Sequence, residues 1–303
     1  MMPLPLTDER AELALGTVQF GLAYGVSNAG GQTPMHEVAR ILDAARAYGI
    51  RLLDTAAAYG DSETVLGELA GPRSGFEIVT KSPKLDGKRP AAVQVNEACA
   101  VSLKRLRRDR LYGLLVHDFD DLLAAEGWEL YGALQELKQA GLVERIGASV
   151  YDPAQVEELI DRSFDFDFVQ LPFSLLDQRM RTSGALARLA ADGVEVHVRS
   201  CFLQGALLMP PAQLPEHLLA LRGRLEEYRA AVRECGLTPL AGALAFVRDC
   251  PGVDAVVVGV CDKGQFDEIA HAAAATLPEG IATELFAVDD PELIDPRKWP
   301  RSH

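Results

Sequence analysis

Four side chains with complementary proton chemistry follow predicted strands in this sequence of 303 residues. Asp54 ends an apolar run, Tyr59 comes shortly after it, and Lys81 and His117 end two later apolar runs. A tyrosine has an unperturbed pKa of about 10, so it needs a neighbour that stabilises its phenolate to transfer protons near neutrality. A lysine ammonium does this, and a carboxylate keeps that lysine charged. The set therefore predicts a phenolic proton donor for a carbonyl whose oxygen becomes an alkoxide.

Each of these side chains also has an ordinary explanation when it is taken alone. Asp54 could be a loop acid or a helix cap, Tyr59 a packed ring, and Lys81 a solvated lysine at a strand end. A single histidine such as His117 is often structural. Four such residues at one edge of a sheet are better explained as one site. There His117 would donate a hydrogen bond to a substrate oxygen or join the proton relay.

The elements that must position these residues alternate between strand and helix about eight times. Apolar runs of four to six residues predict strands over 13–17, 51–54, 76–80, 111–116, 143–148, 166–170, 194–198 and 254–258. Thr33 is expected to cap the first long helix, with Pro34 in its first turn and Gly49 at its end. Later helices are predicted near 62–69, 90–106, 126–139, 153–161, 184–191, 216–234, 239–248 and 265–275.

This rhythm predicts an α/β fold, a parallel eight-stranded (β/α)8 TIM barrel in a single domain over 1–303, with an insertion after strand seven at 199–215. In such barrels the chemistry lies at the C-terminal ends of the strands. Besides the four residues above, those ends carry groups able to hydrogen bond or to let a ligand approach closely: Gly16, Thr17, Ser149, Gln170, Arg199, Ser200 and Gly259.

Composition excludes several classes of partner. The formal net charge of -14, from 44 acids and 30 bases, repels phosphate backbones and argues against nucleic acid. No run of eighteen apolar residues predicts a membrane span, and residues 1–10 lack the basic-then-apolar design of a signal peptide.

Five widely spaced cysteines indicate reduced thiols and a cytoplasmic protein. A metal site is not expected, because the acids that follow His117 have no second histidine at ligand spacing. The oligomeric state is not predicted.

The chain resembles the aldo-keto reductases, a resemblance that spans about residues 13 to 275. It rests on Asp54-Thr55-Ala56-Ala57-Ala58-Tyr59-Gly60 with Ser62-Glu63 and Leu66-Gly67, then on Thr80-Lys81, Leu115-Val116-His117, Ile146-Gly147-Ala148-Ser149, Val169-Gln170 and Gly259. It implies the barrel, a nicotinamide nucleotide that is usually NADPH, Tyr59 as general acid–base assisted by Lys81 and Asp54, and His117 at the carbonyl oxygen. The opening Gly16 to Gly21 is similar to bacterial members of carbohydrate pathways.

The resemblance also implies cofactor contacts, with departures from the family pattern. Ser149 and Gln170 would bind the nicotinamide carboxamide, but Val150 replaces the usual asparagine, and Arg199 stands where an aromatic ring often stacks on the nicotinamide. The pyrophosphate loop would include Ser200, Leu203 and Gly205, and the nucleotide's far end would meet Gly259, Lys263, Gln265 and Glu268. The resemblance predicts NADP(H). Because Gln265 replaces the arginine that commonly grips the adenosine 2′-phosphate, NAD(H) is also possible.

Polar side chains in the expected substrate loops (20–31, 118–126, 171–181 and 199–215) predict a polar carbonyl substrate such as a sugar-like aldehyde. Two other functions stay open. Lys81 could form a Schiff base in an aldolase, as strand-end lysines do in other barrels. Alternatively, the chain could be a binding subunit that senses nicotinamide nucleotides with little turnover.

Overall fold

Eight parallel strands close into a barrel in the structure, a computed structural model that describes residues 10–26, 28, 30–71 and 74–300. Each strand pairs with the next in the chain, and the eighth pairs with the first through five residues in register. The strands are β1 (Glu12–Gly16), β2 (Leu52–Asp54), β3 (Glu77–Lys81), β4 (Leu111–Val116), β5 (Val143–Ser149), β6 (Phe168–Pro172), β7 (Glu195–Arg199) and β8 (Ala255–Gly259). The predicted (β/α)8 barrel is confirmed. The predicted absence of a signal peptide concerns residues 1–10, of which 1–9 lie outside the described residues.

Helices connect and cover the strands. The α-helices are Val18–Gly21, Met35–Tyr48, Ser62–Leu69, Ala91–Leu106, Asp120–Leu123, Gly127–Gln139, Pro153–Asp161, Arg179–Thr182, Ala185–Ala191, Arg222–Glu234, Pro239–Arg248, Lys263–Ala272 and Pro291–Ile294. Leu203–Leu208, Pro211–Gln213, Glu216–Leu221, Thr283–Phe286 and Pro296–Lys298 are 3₁₀ segments. Among the described residues, no single helix is long and apolar enough to cross a membrane; Glu216–Glu234 and Pro239–Arg248 reach that threshold only as a pair bent by 89°.

Two apolar layers hold the barrel together. Small and branched side chains from alternate strand positions fill its interior, around Phe168: Ala14, Leu52, Val79, Leu115, Ala255 and Val257. The other strand positions pack outward against the helices in one continuous core. Each fully buried leucine or valine stabilises this arrangement by roughly 1.5–3 kcal/mol relative to exposure. This apolar filling closes the middle of the barrel. The polar residues at the C-terminal strand ends lie beyond it and line a cavity.

The start of the first long helix differs from the prediction. Pro34, not Thr33, is the residue before the first helical turn, and no side chain caps that end. The Thr33 hydroxyl instead donates to the carbonyl of Cys261, 3.2 Å away, after β8. Thr33 therefore ties two neighbouring loops together at the C-terminal rim. Gly49 ends the helix as predicted, in the left-handed region at φ 95°.

Strand β6 lies two residues later than the sequence predicts. Phe166 does not enter the sheet; its ring packs edge-on against Tyr131, with Phe164 beside it. Pairing begins at Phe168, opposite Gly147 of β5. Phenylalanines alternate with aspartates over 164–168, a period typical of a strand, but Phe164 and Phe166 cover the helix Gly127–Gln139 outside the barrel.

Candidate active site

A cavity of about 760 Å³ opens at the C-terminal ends of the strands. Most residues predicted from the sequence lie on its wall: Gly16, Thr17, Asp54, Tyr59, Lys81, His117, Ser149, Gln170, Arg199, Ser200, Gly205, Gly259, Gln265 and Glu268. Two predicted contacts do not. Leu203 is buried in the outer core, and Lys263 pairs with Asp267 at the start of the helix after β8. The four residues predicted to transfer the proton, which we call the tetrad, thus share one cavity: Asp54, Tyr59, Lys81 and His117.

A buried ion pair lies at the base of this cavity. The Lys81 ammonium is 2.7 Å from each carboxylate oxygen of Asp54 and 2.9 Å from the Thr55 carbonyl oxygen. These contacts engage all three ammonium protons. The two side chains are 1% and 6% exposed, so neither charge has water to solvate it. Burial lowers the pKa of Lys81 and the Asp54 carboxylate raises it, so the lysine depends on Asp54 to hold its charge.

Tyr59 is presented to the cavity by the loop after β2. Its ring centroid lies 5.2 Å from the Lys81 nitrogen and 5.9 Å from the His117 ring, which meets it edge-on at 84°. Burial, followed by the Asp54 charge, raises the pKa of Tyr59 well above its usual value, while Arg199 opposes the shift. Without ligand, the phenol is therefore protonated at neutral pH. From the sequence we expected Lys81 to favour the phenolate, but in the structure the lysine directs its hydrogen bonds to Asp54 and Thr55.

A glycine makes room for this loop. A Cβ on Gly21 would lie 1.8 Å from the Tyr59 carbonyl oxygen and 2.5 Å from the Ser62 backbone nitrogen. The Ser62 hydroxyl bonds the Thr17 carbonyl oxygen at 2.9 Å, which fastens the same loop to the end of β1. The position of Tyr59 thus depends on close backbone contact between the loops after β1 and β2.

His117 is neutral at physiological pH. Burial, followed by the positive charges of Lys81 and Arg199, lowers its pKa from 6.5 to about 4. A neutral imidazole carries one N–H, so His117 can donate a hydrogen bond to an oxygen in the cavity without contributing a charge.

Gln170 supplies a free amide oxygen deep in the cavity. Its amide nitrogen donates to Asp54 at 2.7 Å; because a carboxylate can only accept, the amide oxygen must face the other way. That oxygen is buried and has no hydrogen-bond partner among the described residues. Ser149, on the neighbouring strand in register with Gln170, lines the same wall. An unpaired buried acceptor beside a hydroxyl fits the amide group of a nicotinamide.

Two residues on the wall were not predicted from the sequence. The side chain of Gln19 covers Gly259, where a Cβ would lie 2.8 Å from the glutamine's amide atoms, and its own amide oxygen is also buried without a partner. Tyr151 lies against two guanidinium groups, with the Arg199 carbon 4.0 Å and the Arg297 carbon 3.5 Å from its ring centroid. Both missed residues come two or three positions after a strand end, which is the signal that could have identified them.

The loop after β7 has a strained backbone. Ser200, Leu203 and Gln204 have φ values of 60°, 49° and 53°, in a region that favours glycine, and Gly205 follows at 93°. Each non-glycine residue in this region costs on the order of 1 kcal/mol, and such strain concentrates at functional sites. Gln204 also bridges to the loop after β1, accepting from the Val26 backbone at 3.2 Å and donating to the Tyr24 hydroxyl at 3.0 Å.

Carboxylates already cap the helix after β8. It begins at Lys263, two residues before the predicted start, because Asp262 accepts a hydrogen bond from the Gln265 backbone at 2.8 Å. Glu37 accepts from the Lys263 backbone at 2.7 Å, and the Lys263 ammonium pairs with Asp267 at 2.5 Å. Acids therefore already engage the backbone N–H groups of Lys263 and Gln265 and the Lys263 ammonium. Both residues were expected to contact the nucleotide.

Among the described residues, the cysteines form no disulfide and the possible metal ligands form no cluster. All five cysteines are free thiols. In the described part of the chain, no group of three or more histidines, cysteines or acids is placed to hold a metal ion.

Comparison with known proteins agrees with this geometry. The sequence model of the Aldo/keto reductase family matches residues 12–289. The chain is 28% identical to D-threo-aldose 1-dehydrogenase of Pseudomonas sp, over 91% of this chain and 96% of that protein, and 27% identical to Protein tas of Escherichia coli, over 92% and 94%. An aldo-keto reductase structure from Pseudomonas aeruginosa superposes with a TM-score of 0.68 at 26% identity, covering 90% of this chain and 97% of that one. The holo form of a Bacillus halodurans aldo-keto reductase has a similar fold, with a TM-score of 0.72 at 24% identity over 91% and 90%. The chain therefore belongs to the aldo/keto reductase family of NAD(P)H-dependent oxidoreductases that act on small-molecule carbonyls.

Proposed function

We propose that the protein reduces a polar aldehyde or ketone to an alcohol, with Tyr59 as proton donor. The observation that carries this proposal is the buried Asp54–Lys81 pair beneath the Tyr59 ring, with His117 at that ring's edge in the same cavity. The direct test is consumption of NADPH or NADH with a panel of aldehydes and ketones. If the nucleotide binds and no carbonyl in a broad panel is reduced, the proposal fails in favour of a nucleotide-sensing subunit.

In this mechanism the bound nicotinamide supplies the hydride. Ser149 and the free amide oxygen of Gln170, which line the cavity, would hold its carboxamide. Tyr59 gives its phenolic proton to the carbonyl oxygen as negative charge develops there, and the neutral His117 orients that oxygen with an N–H hydrogen bond. The Lys81 charge, 5.2 Å from the phenol ring, then compensates the phenolate, while Asp54 keeps the lysine protonated and fixed.

The same geometry gives the Schiff-base alternative no support. Such a lysine must present a free amine to the substrate carbonyl. The Lys81 nitrogen has its three protons engaged by Asp54 and Thr55 and is 1% exposed. Trapping with borohydride that left Lys81 unmodified would agree with the reductase.

The wall around the tetrad supports a polar, sugar-like substrate. Tyr24, Tyr151 and Gln204 bring hydroxyl and amide groups to the cavity. The aldose named as the substrate of the Pseudomonas relative belongs to the same chemical class. A panel that pairs aldoses and hydroxyaldehydes with hydrophobic ketones tests this proposal. Turnover of the hydrophobic ketones alone would refute it.

For the nucleotide, the contacts after β8 favour NAD(H) over the NADP(H) that the family resemblance implied. A 2′-phosphate at this end would meet Asp262 and Glu268, while two cations nearby are already paired, Lys263 with Asp267 and Arg40 with Glu37. Repulsion by Asp262 and Glu268 would offset the gain from these paired cations. Calorimetric titration with NADH and NADPH tests the proposal. Equal or tighter binding of NADPH would overturn it, and Asp267→Asn, which frees Lys263, should shift affinity toward NADPH.

A further inference from the structure

The catalytic end of the cavity contains a cation that no acid among the described residues neutralises. The Asp54 and Lys81 charges cancel each other, and His117 is neutral. Arg199 lines the same wall, and among the described residues no carboxylate lies within ion-pair distance of it. The remaining acid on the wall, Glu268, lies on the helix Lys263–Ala272, outside the barrel strands. The site where the carbonyl reacts therefore has a net positive charge.

Arg199 is also held in place with most of its donors unused. Its guanidinium lies over the Tyr151 ring at 4.0 Å and gives one hydrogen bond, of 3.0 Å, to the Val150 carbonyl oxygen. That is the one hydrogen bond its side chain makes within the described residues, so most of its five N–H donors remain for a ligand. A guanidinium fixed on an aromatic face loses little conformational freedom when it binds, and its planar fork matches a carboxylate.

The neighbouring Arg297 shows the contrast. It lies over the same ring at 3.5 Å, but its Nε and one terminal nitrogen both donate to Asp295, and it does not line the cavity. Tyr151 thus has one guanidinium neutralised outside the cavity and one left charged within it.

From this arrangement we infer that the substrate is a carbonyl compound that also carries a carboxylate, which Arg199 binds while the carbonyl oxygen meets Tyr59 and His117. The inference rests on the proposed reductase function and makes its substrate class specific. In the reaction the carbonyl carbon gains a hydride and its oxygen a proton, and the carboxylate is unchanged. A sugar acid with a free carbonyl meets this requirement, and its hydroxyls would face the polar side chains of Tyr24, Tyr151 and Gln204 on the same wall.

The test compares 4-carboxybenzaldehyde with 4-formylbenzamide, which has the same shape without the charge. A charge-assisted hydrogen bond is worth about 1.5–3 kcal/mol, so kcat/KM should favour the acid by roughly tenfold to a hundredfold. Arg199→Gln should bring this ratio close to one, whereas Arg297→Gln should leave it unchanged. Each variant's own activity on the amide is the internal reference, so a general loss of activity does not distort the ratio.

Two results would overturn the inference: a ratio near one in the natural protein, or a ratio that survives Arg199→Gln. If the ratio survives and the Arg199→Gln variant also loses nucleotide affinity, Arg199 belongs to the cofactor site. If neither aldehyde is reduced although the nucleotide binds, the proposed function fails separately. Calorimetric binding of the two aldehydes to the nucleotide complex then decides the role of Arg199, and equal affinities would refute it.

Discussion

The buried ion pair beneath Tyr59 makes a quantitative prediction about stability. Asp54→Asn leaves the Lys81 ammonium buried without a counter-charge, and Lys81→Met leaves the carboxylate in the same position. Removing one member of a buried pair costs about 3–5 kcal/mol, because the remaining charge has lost both water and partner. The double variant has no uncompensated charge. We expect its loss of unfolding free energy to be smaller than the sum of the two single losses by at least about 2 kcal/mol.

Urea unfolding followed by circular dichroism, at pH 7 and without nucleotide, gives the free energy of unfolding of the natural protein, the two single variants and the double variant. Arg188→Met provides the control: it breaks a helical pair with Asp192 whose side chains are 59% and 45% exposed, and it should cost less than about 0.5 kcal/mol. Additive losses, or single losses no larger than that of the control, would show that the pair is not the buried, coupled unit described here.

Two further predictions concern His117 and the glycine that holds the Tyr59 loop. The pKa of His117 is about 4 in the folded protein and 6.5 ordinarily, so between these values the unfolded chain binds a proton that the folded chain does not. Stability must therefore fall as pH drops from 6.5 to 4, by up to about 3 kcal/mol from this residue. His117→Gln should lose correspondingly less over that range in urea titrations, and an unchanged acid sensitivity would contradict the assignment. Gly21→Ala should reduce both stability and activity, since its Cβ would overlap the Tyr59 backbone. Gly132→Ala, in open space within a helix, should raise the melting temperature, with a gain of about 1 kcal/mol; equal effects of the two substitutions would refute the argument.

The tetrad could be predicted because its chemistry is local in sequence. Asp54, Lys81 and His117 each end or directly follow an apolar run, and parallel strands bring such ends to one rim. The place of Tyr59 in the same site could be predicted because it lies five residues after Asp54, in the loop that follows that strand. The barrel was predictable for the same reason, since its strands and helices alternate in chain order.

Contacts between distant segments could not be predicted in this way. The cluster around Tyr151 joins Arg199 and Arg297, and nothing in the local pattern shows which guanidinium is neutralised. The upward shift of the Tyr59 pKa depends on burial, which the sequence does not show. From the sequence we expected the nearby lysine to lower that pKa instead. The capping of the helix after β8 was partly predictable from the sequence, because Asp262 precedes Gln265 by three residues in the manner of a capping box. The hydrogen bond from the Lys263 backbone to Glu37 was not predictable, because Glu37 lies on a helix more than 200 residues away.

The central claim, that Tyr59 donates the proton, is tested most directly by Tyr59→Phe, measured with the best carbonyl substrate and the preferred nucleotide. The cavity keeps its shape, so nucleotide affinity should stay within about threefold, while kcat falls by roughly 10²–10⁴ or more. Tyr48→Phe, which removes a hydroxyl that bonds Ala270 outside the cavity, should retain activity. If Tyr59→Phe kept kcat within tenfold of the natural protein, the proton would come from another group and the mechanism would be wrong.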